Sequence, residues 1–219
     1  FSESVSATSG NITIKKTYDD STVEQIAVTG NQVTGNGAQG PMGQAGGDQI
    51  TINPSSDFDS STEYYVLIDD TAFEDGANNA YAGISSTTAL SFTSVDNANP
   101  TLSSSTPADN AKDVEVDANI VLTFNETVST VSGNITIKKT SDDSTVETIS
   151  VTSSYISGNG FVPIGGGASG TVITINPASD FDPGVEYYVL IDDTAFDDAS
   201  SNSYAGISST TALSFTSTS

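Results

Sequence analysis

The chain has 219 residues, which corresponds to one large domain or two small ones. It carries 28 Asp and Glu against five Lys, with no Arg, His or Cys, so its formal net charge is −23. This composition excludes disulfides, zinc sites of the usual Cys/His kind and catalytic sites that need His or Cys. We also expect no nucleic-acid partner and no membrane insertion, because the chain is a polyanion and lacks an apolar run of roughly 20 residues.

Apolar and polar residues alternate in short segments along the chain, and this period of two is typical of β-strands. In the second half a first strand begins at Pro100, and further strands are predicted over Ile120–Phe124, Asn134–Lys139, Val172–Ile175, Glu186–Ile191 and Ala212–Thr218. Turn-forming residues separate these segments. About seven short strands in roughly 120 residues predict an all-β fold, an immunoglobulin-like Greek-key β-sandwich without the Cys pair and core Trp.

The chain is an internal repeat. Residues 1–96 align with residues 124–219 at a constant offset of 123, and 64 of the 96 aligned positions are identical. A period of this length fits a complete domain, so the sequence predicts tandem immunoglobulin-like sandwiches. We expect a repeat over 1–96 that lacks its N-terminal strand segment, and a complete repeat over 97–219. Either the sequence begins within a domain, or another chain supplies the missing strand.

The segment that opens the second copy, Pro100–Glu126, resembles the start of the bacterial Ig-like domains of the S-layer SbsA type. It has a Pro-rich first strand, a turn over Pro107–Val114, and then Ile120, Leu122 and Phe124 in alternation. Tyr187–Asn202 matches a second segment of the family, with Ser201 in place of its usual Gly. The resemblance implies repeats of a large, secreted or cell-surface bacterial protein, in which they serve as spacers or stalks.

Carboxylates are expected to gather at one end of each repeat. Strand directions, followed from the linker, bring the ends of several strands and the linker itself to the same place. Calcium binds about six to eight oxygen ligands, so the sequence predicts a Ca²⁺ site at the domain junction. The candidate ligands are Asp96, Asn97, Asn99, Glu126, Asp192, Asp193 and Asp198, with Glu3, Asp69, Asp70 and Asp75 at the equivalent positions of the first copy.

Simpler interpretations stand beside this one. Acidic loops are commonly solvated, and Asp192 and Asp193 are neighbours on a strand, so they point to opposite faces and do not both bind one ion. The lysine pairs Lys15-Lys16 and Lys138-Lys139 are expected to form surface ion pairs with nearby aspartates. Of each tyrosine pair, such as Tyr187-Tyr188, one member is expected in the core and one outside.

The function predicted from the sequence is that of a structural spacer in an adhesin stalk or S-layer-like protein, made rigid by calcium at its domain junctions. Its partners would be neighbouring repeats of the same protein. One alternative is an extracellular filament subunit that self-associates by strand donation. Another is an adhesion module that binds a glycan or protein through the Gly-rich loops, Gly35–Gly47 and Gly158–Gly170. An enzyme is not expected.

Overall fold

The protein divides into two compact units, Phe1–Asp96 and Asn97–Ser219. The structure, a computed structural model, describes residues 1–37, 45–160 and 167–219. These residues form strands and turns, and none of them lies in a helix that is long and apolar enough to cross a membrane.

The first unit contributes nine strands within its described residues. They are β1 (Val5–Ala7), β2 (Asn11–Lys16), β3 (Thr22–Ala27), β4 (Val33–Gly35), β5 (Gly46–Gly47), β6 (Ile50–Ile52), β7 (Glu63–Ile68), β8 (Phe73–Asp75) and β9 (Ser91–Thr93).

The second unit contributes ten strands within its described residues. They are β10 (Leu102–Thr106), β11 (Ala111–Val114), β12 (Ile120–Thr130), β13 (Asn134–Lys139), β14 (Thr145–Ser150), β15 (Ile156–Gly158), β16 (Ser169–Ile175), β17 (Glu186–Ile191), β18 (Phe196–Asp197) and β19 (Ser214–Ser217).

Two sheets build the second unit. One has the order β10-β12-β16-β15, with β18 also paired to β12, and the other has the order β11-β19-β17-β13-β14. Ile120 and Leu122 of the first sheet pack in one buried cluster with Ile135, Tyr187 and Phe215 of the second. The core therefore lies between the sheets, as in a β-sandwich.

Alternation along the strands explains this packing. On β13, Ile135 and Ile137 are fully buried while Thr136 between them is half-buried. On β17, Tyr187 pairs with Phe215 of β19, so two large aromatic side chains lie next to each other in the core. The prediction of an all-β sandwich is confirmed, and β13 and β17 have the predicted bounds.

Several predicted boundaries were wrong. The strands expected over Val172–Ile175 and Ala212–Thr218 span Ser169–Ile175 and Ser214–Ser217, and two further differences are larger. The strand expected to end at Phe124 continues to Thr130, because its register shifts between Thr123 and Val128 and it then pairs again with β16. The segment expected to be a turn before Ile120 contains β11, which runs parallel to β19. Local alternation could not show either feature, since both depend on distant partner strands.

The first unit has the same arrangement of strands, but among its described residues they are divided into three smaller sheets. Its four-stranded sheet β3-β2-β7-β9 corresponds to β14-β13-β17-β19, and β5-β1-β8 corresponds to the far ends of β16 and β12 together with β18. Strands β4 and β6 form a two-stranded sheet that corresponds to β15 and the end of β16. The second unit's β10, β11 and the start of β12 have no equivalent in the described residues of the first unit.

The tyrosine pairs differ from the prediction. Tyr187 and Tyr188 are both buried, and so are Tyr64 and Tyr65. The hydroxyl of Tyr187 accepts a hydrogen bond from the backbone N–H of Asp182, and the hydroxyl of Tyr188 donates one to Asp143. The turn at Asp142-Asp143 therefore covers the ring expected outside, and neither ring offers a stacking surface for a sugar.

Candidate functional site

The structure brings two of the predicted ligands together in the second unit. Glu126 lies on β12, and Asp198 directly follows β18, which pairs with the end of β12. One carboxylate oxygen of Glu126 and one of Asp198 lie within 4.8 Å of each other. Glu126 is half-buried, and Asp198 is 8% exposed. Two carboxylates this close repel each other unless a proton or a cation intervenes.

Asp198 also holds its own turn together. Its Oδ1 accepts hydrogen bonds from the backbone N–H groups of Ser200 and Asn202, both at 2.8 Å. Its Oδ2 accepts one from Nδ2 of Asn202, also at 2.8 Å. Ser201 adopts a left-handed φ of 68° within this turn. These hydrogen bonds use some of the lone pairs of the carboxylate oxygens, so only the remaining ones could coordinate an ion.

The first unit contains the same turn. Asp75 accepts hydrogen bonds from the backbone N–H groups of Ala77 and Asn79 and from the Asn79 side chain. The Asn79 side chain is the main cause of a pKa of Asp75 below its ordinary value. Sequence reasoning missed the part played by Asn79 and Asn202. The signal was an Asp followed by Asn four residues later in both copies, although the residues between them differ.

Glu3 and Asp75 are the first unit's equivalents of the close pair. Both line a cleft of about 220 Å³, together with Phe1, Asn79 and Tyr81.

Phe1 packs against Phe73 and Tyr81, as Phe124 packs against Phe196 and Tyr204 in the second unit. The side-chain environment of this acidic end is therefore repeated.

Asp192 and Asp69 have a structural role at the other candidate positions. Oδ2 of Asp192 accepts the backbone N–H of Asn134 at 2.8 Å, and Oδ2 of Asp69 accepts that of Asn11 at the same distance. The Asp192 carboxylate thus joins the end of β17 to the start of β13, its neighbour in the sheet. The Asp69 carboxylate joins β7 to β2 in the same way. This contact accounts for the aspartate at both positions without an ion.

Asp193 and Asp70 are exposed and lie beside clefts of about 380 and 350 Å³. Within the described residues, neither Asp192 nor Asp193 joins Glu126 and Asp198 in a group spaced to share one ion. The candidate carboxylates of the second unit therefore fall into two separate sets.

The linker candidates occupy the border of the two units. Asp96 is the last residue of the first unit, where its Oδ1 accepts a hydrogen bond from Oγ of Ser60 at 2.7 Å. Asn97 and Asn99 open the second unit and are exposed.

The positive charges of the chain lie elsewhere. All five lysines are within the described residues and form ion pairs with other carboxylates, as predicted for the two lysine pairs. Lys138 lies 2.9 Å from Asp143, and the hydrogen bond between them raises the pKa of the lysine. The salt bridges found among the described residues leave Glu126 and Asp198 without a lysine partner.

The two close carboxylates could accommodate a cation. The Glu126–Asp198 pair supplies hard oxygen atoms, of the kind calcium binds. Two carboxylates provide only part of a shell of about six to eight oxygens, so backbone carbonyls or water would complete it. The central parts of the two Gly-rich loops, residues 38–44 and 161–166, lie outside the described residues, as does the adhesion surface predicted there.

Comparison with known proteins identifies one family. A family model described as a bacterial Ig-like domain matches residues 1–94 and again residues 96–217. Among curated proteins, no relative matches the sequence. The predicted fold class of immunoglobulin-like β-sandwiches is confirmed by this match together with the sheet topology.

Proposed function

The chain belongs to the bacterial Ig-like domain family, and from this we propose that it forms two structural spacer modules of a bacterial surface or adhesin-like protein. The proposal covers both the stalk of an adhesin and an S-layer-like protein. Neighbouring repeats of the same protein are its proposed partners, and the bacterial cell surface its location. Domains of this family are typically structural modules rather than enzymes.

Repetition of local contacts is the observation that supports a spacer. The Asp69 and Asp192 bonds, the Asp75 and Asp198 turns, and the lysine pairs recur at equivalent positions of the two units. The open clefts beside Asp70 and Asp193 recur as well. A spacer needs a stable fold used many times, whereas a catalyst or receptor needs one distinctive site.

Single-molecule stretching tests the spacer proposal. Because each unit has its own core, we expect two separate unfolding events when the chain is pulled from its ends. Unfolding of Asn97–Ser219 should lengthen the chain by on the order of 400 Å, given about 3.6 Å per extended residue. A single event that releases the whole chain, or extension without resistance, would contradict independent spacer modules.

We further propose that the acidic end binds calcium. The Glu126–Asp198 pair supports this, because its charges are close, partly buried and not matched by a described lysine. The ion would relieve their repulsion and stiffen the chain. The linker residues Asp96, Asn97 and Asn99 stay predicted ligands, as do Glu3 and Asp75 in the first unit.

Calcium titration of the intact chain tests the second proposal. We expect heat of binding by calorimetry in the parent chain, and one fewer bound calcium ion per chain in both Glu126→Gln and Asp198→Asn, since Glu3 and Asp75 of the first unit are unchanged. These changes remove charge, while the amide oxygen introduced by Asp198→Asn can still accept the two backbone bonds of the turn. Asp193→Asn is the matched control and should keep the binding. Small-angle scattering in calcium and in chelator then reports whether the particle stiffens.

Either of two results would contradict calcium binding at this pair. One is a parent chain that takes up no calcium at millimolar concentration. The other is a number of bound calcium ions per chain that neither Glu126→Gln nor Asp198→Asn lowers.

A further inference from the structure

One strand pair joins the two ends of the second unit directly. Strand β11 lies near the start of this unit and β19 is its last strand. The two strands are parallel, with Ala111 opposite Phe215 and, further along, Val114 opposite Ser217. Every other strand pair among the described residues is antiparallel. A strand by which the chain enters the unit is therefore bonded to the strand by which it leaves.

Backbone hydrogen bonds continue this pair at both of its ends. The N–H group of Asn110, just before β11, donates to the carbonyl oxygen of Ser214 at 2.7 Å. The N–H group of Thr218, just after β19, donates to the carbonyl oxygen of Val114, also at 2.7 Å. The contact between the strands is therefore longer than the strands themselves.

Two side chains add further bonds to β19. Oδ1 of Asp109 accepts the backbone N–H of Ser214 at 2.9 Å. Nζ of Lys112 donates to Oγ1 of Thr216 at 2.9 Å and lies 3.5 Å from a carboxylate oxygen of Glu186 on β17. Lys112 therefore connects β11 to two neighbouring strands of the sheet.

Burial protects the bonds of this pair. Ser214, Phe215 and Ser217 of β19 are all buried. Ala111 and Val114 of β11 are partly buried against the core of the unit. A hydrogen bond that starts to break here is not readily replaced by one to water, so breaking it is costly.

The parallel direction decides how the pair responds to tension. A pull through the linker draws β11 toward its first residue, and a pull through Ser219 draws β19 toward its last residue. Because the strands run in the same direction, these two pulls are opposite along one axis. The strands are then forced to slide along each other, and the evenly spaced bonds of a parallel ladder are loaded together.

Strand β10 lies between the linker and β11, and it pairs with β12 in the other sheet. Release of β10 under tension would pass the load to β11, which is still bonded to β19. The β11–β19 pair therefore connects the two ends of the unit even after β10 has detached.

We propose that the β11–β19 pair is the mechanical clamp of the second unit, the contact that must break before tension can unfold its core. Asp109 and Lys112 strengthen the clamp through their bonds to β19. The proposal deepens the spacer function and rests on it, because tension reaches the unit in this way only when its two ends are held. It does not depend on calcium.

Stretching the intact chain in two directions tests the clamp. The chain has no cysteine, so introduced cysteines at exposed positions define the points of attachment. With Asn99→Cys and Ser219→Cys the force slides β11 along β19. With Asn99→Cys and Ala212→Cys it enters both strands at their first residues and opens the pair from one end. We expect the opening direction to need roughly half the force or less, because the bonds then break one after another. Chelator is present in both experiments.

Substitutions test the two side chains in the sliding direction. Asp109→Ala combined with Lys112→Met removes their bonds to β19 and should lower the unfolding force. Asp142→Ala combined with Lys138→Met is the matched control. It removes a carboxylate that accepts a backbone N–H and an ion pair, but at the β13–β14 hairpin. The control should leave the unfolding force nearly unchanged.

The outcomes are distinct. A higher force in the sliding direction, lowered by the Asp109 and Lys112 changes and not by the control, would support the clamp. Equal forces in the two directions would overturn it, and this comparison decides even where a double variant does not fold. Equal losses of force in the two double variants would overturn the roles of Asp109 and Lys112. Failure of the spacer proposal looks different, because the chain pulled from its ends would then not give two separate unfolding events.

Discussion

Glycine at the start of the second strand shows how one residue fixes a local structure. Gly10 has a φ of 92°, and a Cβ added there would lie 2.7 Å from Oγ1 of Thr71 and 3.0 Å from Oδ2 of Asp69. Gly133 has nearly the same φ and the same neighbours in the second unit. The glycine lets the backbone approach the aspartate whose carboxylate receives the next N–H group.

We expect Gly10→Ala to destabilise the first unit by about 1–3 kcal/mol, because alanine is strained at this φ and its Cβ would crowd Thr71. Gly76→Ala in the same unit is the control, since a Cβ there would meet nothing within 4 Å. Urea unfolding measures both changes. Equal midpoints for the two variants would contradict the steric reason given for Gly10.

A second prediction at this scale concerns acid. The hydroxyl of Tyr188, and then the ammonium of Lys138, lower the pKa of Asp143 by donating hydrogen bonds to its carboxylate. A lowered pKa in the folded state adds stability above the unfolded pKa of about 4, and this contribution is lost as the pH falls through the folded value.

Asp143→Asn should therefore lower the urea midpoint of the chain at pH 7 and change it little at about pH 2, where the parent carboxyl is protonated too. Asp193→Asn, at an exposed position, is the control and should have a smaller effect at pH 7. If Asp143→Asn lowered the urea midpoint by the same amount at both pH values, the role assigned to the charge would be contradicted.

At the scale of strands, the repeat provides a comparison of one side chain in two settings. Phe215 is fully buried in one cluster with Ile120 and Leu122 of β12, whereas its equivalent Phe92 is 36% exposed. Phe215→Ala should destabilise the second unit by about 3–5 kcal/mol, as is usual for a buried phenylalanine.

Phe92→Ala should destabilise the first unit by clearly less, because less apolar surface is removed from a buried environment. Thermal unfolding of both single variants and of the parent chain measures the difference. Equal losses would mean that Phe92 is as well covered in solution as Phe215.

Strands that alternate regularly could be predicted from the sequence. Ile135 and Ile137, and the run of residues through Tyr187, carry enough of the pattern to set both bounds of β13 and β17. The end of β12 could not be predicted, because Glu126 lies where the register shifts and the strand is continued by pairing with β18. Long-range pairing decides such boundaries, and local composition does not record it.

The candidate site was predictable in part for the same reason. Strand directions predict Glu126 and Asp198 at the same end, and one carboxylate oxygen of each lies within 4.8 Å of the other. They could not reveal that Asp192 is used by the N–H group of Asn134, since that contact depends on the φ of Gly133. Burial of both tyrosines was also missed, because a turn folds over the outer ring.

At the scale of the whole molecule, the two units share one fold but differ in how well their cores are covered. Their stabilities should therefore differ. Within the described residues, the core cluster of the second unit has 22 buried residues and that of the first unit has 12. Burial of apolar surface is the main stabilising contribution to folding, so the first unit should unfold at the lower temperature. The intact chain should therefore show two thermal transitions.

Calorimetric unfolding of the intact chain in about 2 mM calcium and in excess chelator is the most direct test of the proposed calcium-bound spacer. Phe215→Ala identifies the transition of the second unit by lowering it. An ion that binds only the folded state raises that transition by mass action, so we expect it higher in calcium than in chelator, with the rise abolished by Glu126→Gln and by Asp198→Asn. The same transition temperature in calcium and in chelator would contradict the calcium site and leave the acidic end a solvated surface.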